Sequence, residues 1–296
     1  MYNTNGFIFD KDLLDEVTSA LGRNGIFGAA AQHLNDAGLN KTVLLHKSYS
    51  AIGMNFPLLN QGNAGTCSSF AVAGGVDCLK AVEIANGENS EFKNITATEP
   101  IYRGGRLNNG RIIVRGDGAI VSLAVKYIHE YGTIARGKYG NIDLSEYSID
   151  RSRRWGQNSG FPKSIEDISK QYTVEQYSRI TSYKDWRDSI ASGHPIIFGS
   201  NYGFSNTCNN DGFAKQNTNW SHAMWSCAIR ADKLGVLIIN SWGNWNKMST
   251  RKFNEPLGSF WITAEDCDKI ARNGDCWSIA GHNGYNKEIK TDIFFW

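Results

Sequence analysis

Apolar positions follow two different rhythms along this chain, helical in its first half and strand-like in its second. In "DKDLLDEVTSALG", Leu13, Leu14, Val17 and Leu21 fall on one helical face, and Gly22 supplies a C-terminal stop. "AAAQHLNDAG" reads as a second short helix ending at Gly38. From Ser68 to Ile84, the spacing of Phe70, Ala71, Gly74, Leu79 and Val82 predicts a buried helix that stops near Asn86-Gly87. "AIVSLAVKYIHEYG", Ala119 to Gly132, predicts another amphipathic helix with a glycine stop. Beyond about residue 155 the pattern changes to short β-branched and aromatic runs bounded by turn residues: "PIIFGS", "HAMWSCAIRA", "GVLIINSW" and "GSFWIT". A helical part followed by a strand-rich part makes an α+β protein, with the second half an antiparallel sheet or barrel and a cleft between the two. Residues 1–48 read as a helical extension, 49–155 as a mainly helical lobe and 156–296 as a mainly β lobe.

Composition narrows the function classes. With 41% hydrophobic and 20% charged residues among 296, the chain is that of a globular protein rather than a disordered one. A net charge of +2 gives no footprint for nucleic acid, and "RSRRW" at Arg151–Trp155 reads as a solvated stretch. No apolar run reaches the ~18 residues of a membrane span. The N-terminus "MYNTNGFIFDKDLLDE" lacks the basic-then-apolar pattern of a signal peptide, so a cytoplasmic or virion-associated location is expected. Cys67, Cys78, Cys208, Cys227, Cys267 and Cys276 contain no CxxC pair, which argues against a zinc site, and no other cofactor is expected. Reduced thiols are the default expectation, with Cys267 and Cys276 the pair considered for a disulfide.

One stretch raises a chemical question. "NQGNAGTCSSFAVAGGVDC", Asn60 to Cys78, sets a thiol where a glycine-rich turn enters a helix, and peptide dipoles stabilise a thiolate there. A nucleophilic thiol needs a base, and the base needs an orienting partner. Of the six histidines, His33 and His46 lie in the extension, His129 in an amphipathic helix, His194 at a turn before proline and His282 in a glycine-rich tail. His222 is different: it opens a strand that turns at "RADKLG" and returns as "VLIINSW". A hairpin centred near Ala231 puts His222 and Asn240 on one face, and a one-residue bulge would break that arrangement. Trp242 could then roof the pair.

"NQGNAGTCSSFA" and "SHAMWSCAIRADKLGVLIINSWGNW" resemble, in chain order, the two signature blocks of the papain-like cysteine peptidases, most closely the prokaryotic and phage-type members that lack the active-site-loop disulfide. The resemblance covers roughly residues 45–285. It implies a two-lobed fold with a helical left lobe and an antiparallel β-barrel right lobe. It also implies Cys67 as nucleophile, His222 as base, Asn240 as the residue orienting it, and Gln61 with the Cys67 backbone N–H as oxyanion donors. Trp242 matches the family's indole over the His–Asn pair. "GDGAIVSLAVKYIHEYG" resembles the segment that backs onto substrate, which points to Gly118 as the residue pairing with substrate backbone, in an alignment that could slip by one; Ala223 lies on the same cleft. Two departures stand out: Ala64 where many members have a cysteine, and Ser68 where tryptophan is usual. No inhibitory pro-segment motif is recognisable in residues 1–48, so none is expected.

The expected function is a cysteine endopeptidase acting on polypeptide through a Cys67 thioester. Two other readings stand beside it: a docking or structural protein, virion-associated, that retains the fold, and a peptidoglycan-peptide hydrolase. The docking reading assigns protein assembly to the N-terminal extension or to the aromatic tail "TDIFFW". Neither nucleic acid nor membrane is expected as a partner.

Overall fold

The structure, a computed structural model, describes residues 5–88, 91–281 and 285. The tail "TDIFFW" and His282 lie outside them. The helices are α1 (Lys11–Ala20), α2 (Phe27–Ala30), α3 (Lys47–Ala51), α4 (Cys67–Ala85), α5 (Thr98–Gly104), α6 (Val121–Glu130), α7 (Ile149–Gly156), α8 (Lys163–Ser169), α9 (Tyr183–Ala191) and α10 (Ala264–Asn273). A short strand, β1 (Val43–Leu44), precedes two small hairpins, β2 (Leu107–Asn108) with β3 (Arg111–Ile112) and β4 (Lys138–Tyr139) with β5 (Ile142–Asp143). The principal sheet follows: β6 (Gln176–Arg179), β7 (Ile196–Cys208), β8 (Ala214–Arg230), β9 (Gly235–Ile239), β10 (Phe260–Thr263) and β11 (Asp275–Ala280). Its order is β10-β9-β8-β7-β11-β6, every pair antiparallel, and β1 joins β8 just beyond the point where β7 begins. The chain is thus α+β: α1–α8 precede β6, and the antiparallel sheet that follows is interrupted by α9 and α10.

The long helix α4 joins the two halves. It is buried along most of its length, so it is apolar or small on every side rather than on one stripe. Gly74 and Gly75 let it lie directly on the sheet. A Cβ on Gly74 would stand 2.3 Å from Trp225 Nε1, and one on Gly75 would stand 2.8 Å from Ile197 Cγ1. Those contacts with β8 and β7 fix where the N-terminus of α4, and with it Cys67, meets the sheet.

Residues 5–48 pack into the rest of the molecule. Leu14 and Val17 of α1 share a core with Val121 and Leu123 of α6, while β1 extends the sheet. The first described residues are extended rather than helical: Asn5 bridges Ser221 and Phe7 bridges Ala119, both in parallel sense.

Candidate active site

Cys67 is the first residue of α4. The turn before it is held from two sides. Asn60 bridges Trp242, Gln61 N–H donates to Ser241 O at 2.9 Å, and Gly243 N–H donates to Leu59 O at 2.8 Å. On the other side Gly65 N–H donates to Asp117 Oδ2 at 3.0 Å, and Asp117 Oδ1 accepts from Tyr102 Oη at 2.7 Å. Gly62, at φ 66, takes a turn conformation that side chains resist. The buried Gln61 side chain accepts from Ser241 Oγ at 2.6 Å and donates to Ala64 O at 2.8 Å, which fixes its amide beside the start of α4.

His222 lies on β8 and Asn240 just past the end of β9, and His222 Nε2 meets Asn240 Oδ1 at 2.8 Å. An amide oxygen only accepts, so Nε2 carries the proton and Nδ1 holds a lone pair. No partner for Nδ1 is present among the described residues. The Ala223 N–H, next along the chain, donates to the Cys67 sulfur. The sulfur therefore lies against the strand that carries the imidazole. The Trp242 ring stacks on His222 at 4.3 Å between centroids, and Trp220 packs edge-on against both rings.

The hairpin reaches this geometry by a route the sequence reading had excluded. Near the turn the register is Arg230↔Gly235 and Ala228↔Leu237; past Cys227 it becomes Ser226↔Ile238 and Trp225↔Ile239. Side chains alternate faces, so the register set at the turn would put Asn240 on the opposite face from His222. The extra residue at Cys227 shifts the pairing by one and returns both to the same face. The bulge assembles the pair.

Gly118 is a second correction. Its N–H donates to Tyr102 Oη at 3.0 Å and its carbonyl accepts from Arg106, so both backbone groups are occupied. The free edge belongs to the next residue: Ala119 N–H donates to Gly6 O at 3.0 Å, and Ala119 O accepts from Ile8 N–H at 3.0 Å and from Ser68 Oγ at 3.0 Å. The departure at Ser68 thus has a local use, tying the first turn of α4 to the cleft-facing edge.

The space over the thiol is filled by the chain's own N-terminal residues. Residues 5–8 lie across the thiol: Phe7 N–H donates to Ser221 O at 2.8 Å, and a Cβ on Gly6 would stand 2.8 Å from Cys67 Sγ. Only glycine fits there. Phe7 is buried against Gly199, where a Cβ would come within 2.3 Å of the ring, in the same core cluster as Ala223. The Gly6 carbonyl is held by Ala119, while the Gln61 amide donates to Ala64 O, so this strand is not presented for attack at the thiol.

Under this cover both groups are neutral. Burial pushes the Cys67 thiol up to about 12 against the backbone donors that would lower it, and burial brings the His222 imidazole down to about 4 despite the Asn240 bond. Among the described residues no group of His, Cys, Asp and Glu could hold a metal ion. Sequence reasoning missed Ser68, Ala119, Phe7, Gly199 and Trp220. Each acts through a contact with a distant segment, and only Ser68 carried a signal, as a departure from the resembled pattern.

Comparison with protein-family models finds no match, and comparison with curated protein sequences finds none. Solved structures do match. The chain is similar to xylellain, a cysteine protease from Xylella fastidiosa, at 18% identity and a TM-score of 0.56, over 94% of this chain and 91% of that one. It is also similar to the proform of the Amb a 11 cysteine protease of ragweed pollen, at 12% identity and a TM-score of 0.56, over 95% and 75%. The bromelain protease of Ananas comosus matches at 12% identity and a TM-score of 0.51, over 82% and 99%. The fold is papain-like.

Proposed function

We propose that this chain is a papain-like cysteine endopeptidase held latent by its own N-terminal strand. The observation that carries the reading is the His222–Asn240 bond of 2.8 Å, which leaves Nδ1 unpartnered on the strand whose Ala223 N–H addresses the Cys67 sulfur. With the cleft open, His222 Nδ1 takes the proton of Cys67, and the thiolate–imidazolium pair is favoured by mutual charge and by the N-terminus of α4. The sulfur attacks a peptide carbonyl. The oxygen takes up charge facing the Gln61 amide and the Cys67 N–H. His222 returns its proton to the leaving amine, and water, deprotonated by the same nitrogen, hydrolyses the thioester. Asn240 keeps the ring oriented and Trp242 keeps water from the bond between them.

The ragweed neighbour is itself in its proform. Residues 5–8 of this chain, seated on the thiol and on both cleft edges, support latency here. The test removes residues 1–9 and incubates the product with a peptide amide and a thiol-directed epoxide. Cleavage with one equivalent of label on Cys67, both absent in Cys67→Ala, supports the proposal. An open cleft that neither cleaves nor labels contradicts it and favours a docking protein that has kept the fold.

A further inference from the structure

Two cysteines that the proposed chemistry does not use face each other beneath the site. Gly74 of α4 lies against the Trp225 ring of β8. Cys78 is one helical turn further on the same face of α4, and Cys227 is two residues further along β8, at the bulge that sets the His222–Asn240 register. Both are fully buried in one core, and their thiols lie close enough to perturb each other's ionisation. The end of β1 closes over them: Leu45 N–H donates to Cys227 O at 2.8 Å. His46 Nε2 donates to Phe253 O at 3.1 Å, so that nitrogen carries the proton, and the ring lies near the Cys227 thiol with its Nδ1 unpartnered among the described residues. Burial opposes ionisation of Cys227, but its neighbours Cys78 and His46 lower this thiol overall, while burial and Cys227 drive Cys78 up.

We propose that Cys78 and Cys227 are an oxidisable pair that closes to a disulfide, stapling the helix that carries Cys67 to the strand that carries His222. With a small disulfide such as oxidised glutathione, the Cys227 thiolate attacks one glutathione sulfur and expels the other as a thiolate. Cys78, losing its proton, then attacks the Cys227 sulfur and expels the second glutathione. Two protein S–H bonds are lost and one S–S bond forms; the oxidant takes up two electrons and two protons and leaves as two thiols. Both sulfurs are shut from solvent in the folded chain, so the exchange belongs to folding or to transient opening. Cys67 is spared, since eleven residues of helix separate it from Cys78 by about 16 Å. The other pairing, Cys267 with Cys276, is disfavoured, because the Cys276 thiol donates to Ile270 O at 3.5 Å within its own segment.

The full chain refolded in a glutathione redox buffer, alkylated at low pH and mapped unreduced by mass should give one peptide linked through Cys78 and Cys227. Closing a loop of roughly 150 residues should raise Tm by about 10 °C over the same protein after dithiothreitol, with no such shift in Cys78→Ala. Two alkylated thiols at these positions in folded, glutathione-equilibrated protein, or a linked peptide through a different pair, would overturn the proposal. The mapping needs no variant and no peptidase activity, so it stands whatever the fate of the catalytic reading.

Discussion

Replacing Phe7 by alanine should release the thiol without touching the residues proposed to do chemistry. The Phe7 side chain is 3% exposed and rests on the bare Cα of Gly199. Emptying such a site costs about 3–5 kcal/mol, and here that cost falls on the seating of the N-terminal strand. At 1.4 kcal/mol per tenfold, the ratio of seated to released strand should fall by roughly 10²- to 10³-fold. The thiol responds to the loss of its cover. Held up to about 12 by burial, it gives a thiolate fraction near one in 10⁵ at neutral pH; at the ordinary value of 9.0 the fraction rises about a thousandfold. A less basic thiolate is a poorer nucleophile, which trims the gain to roughly 30- to 60-fold. Alkylation by iodoacetamide at pH 7, followed by mass spectrometry with the site mapped, should therefore be at least about 30-fold faster at Cys67 in Phe7→Ala than in the parent chain. If limited proteolysis shows the strand released while Cys67 labels within threefold of the parent rate, burial by this strand is not what silences it.

Gly199→Val tests the same notch from the other wall. A side chain there meets the Phe7 ring at 2.3 Å, so the variant should unseat the strand, speed Cys67 labelling and, once the cleft is open, discriminate against substrates that put an aromatic side chain in that notch. Asn240→Ala removes the acceptor of a 2.8 Å bond; in the opened enzyme kcat should fall by about 10²-fold while KM changes little, and a wild-type rate would deny Asn240 its orienting role. Asp77 is buried on α4 and pushed up to about 6 by burial, against its bonds to Thr96. A carboxyl with a raised folded value supplies stability that is present below about 3.8 and lost as pH rises through about 6. Asp77→Asn should thus gain on the parent by up to about 3 kcal/mol between pH 4 and pH 7 in paired denaturation curves, and a pH-independent difference would refute the assignment.

Periodicity exposed α4, α6 and the four strand runs because each repeats one face often enough to be seen over ten residues or so. The signature blocks around Cys67 and His222 were equally legible, since their chemistry is local in sequence. The bulge at Cys227 was not: which of two neighbouring residues loops out depends on the turn Ala231–Leu234 and on β1 and β7 to either side. The shift from Gly118 to Ala119 has a similar origin, in Tyr102 and Arg106 reaching in to occupy one backbone unit and leave the next free. The cleft-filling strand was hidden for another reason. "NGFIF" is too short to show a period, and its meaning depends on Gly199 and Cys67, which lie far away in sequence.

The most direct measurement is the pH dependence of Cys67 alkylation in the chain lacking residues 1–9, with and without His222→Ala. A thiol facing an imidazole across an open cleft should ionise several units below 9 in the parent and return toward 9 in the variant. A titration near 9 in both would mean that sulfur and ring do not act together, and the peptidase reading would fall.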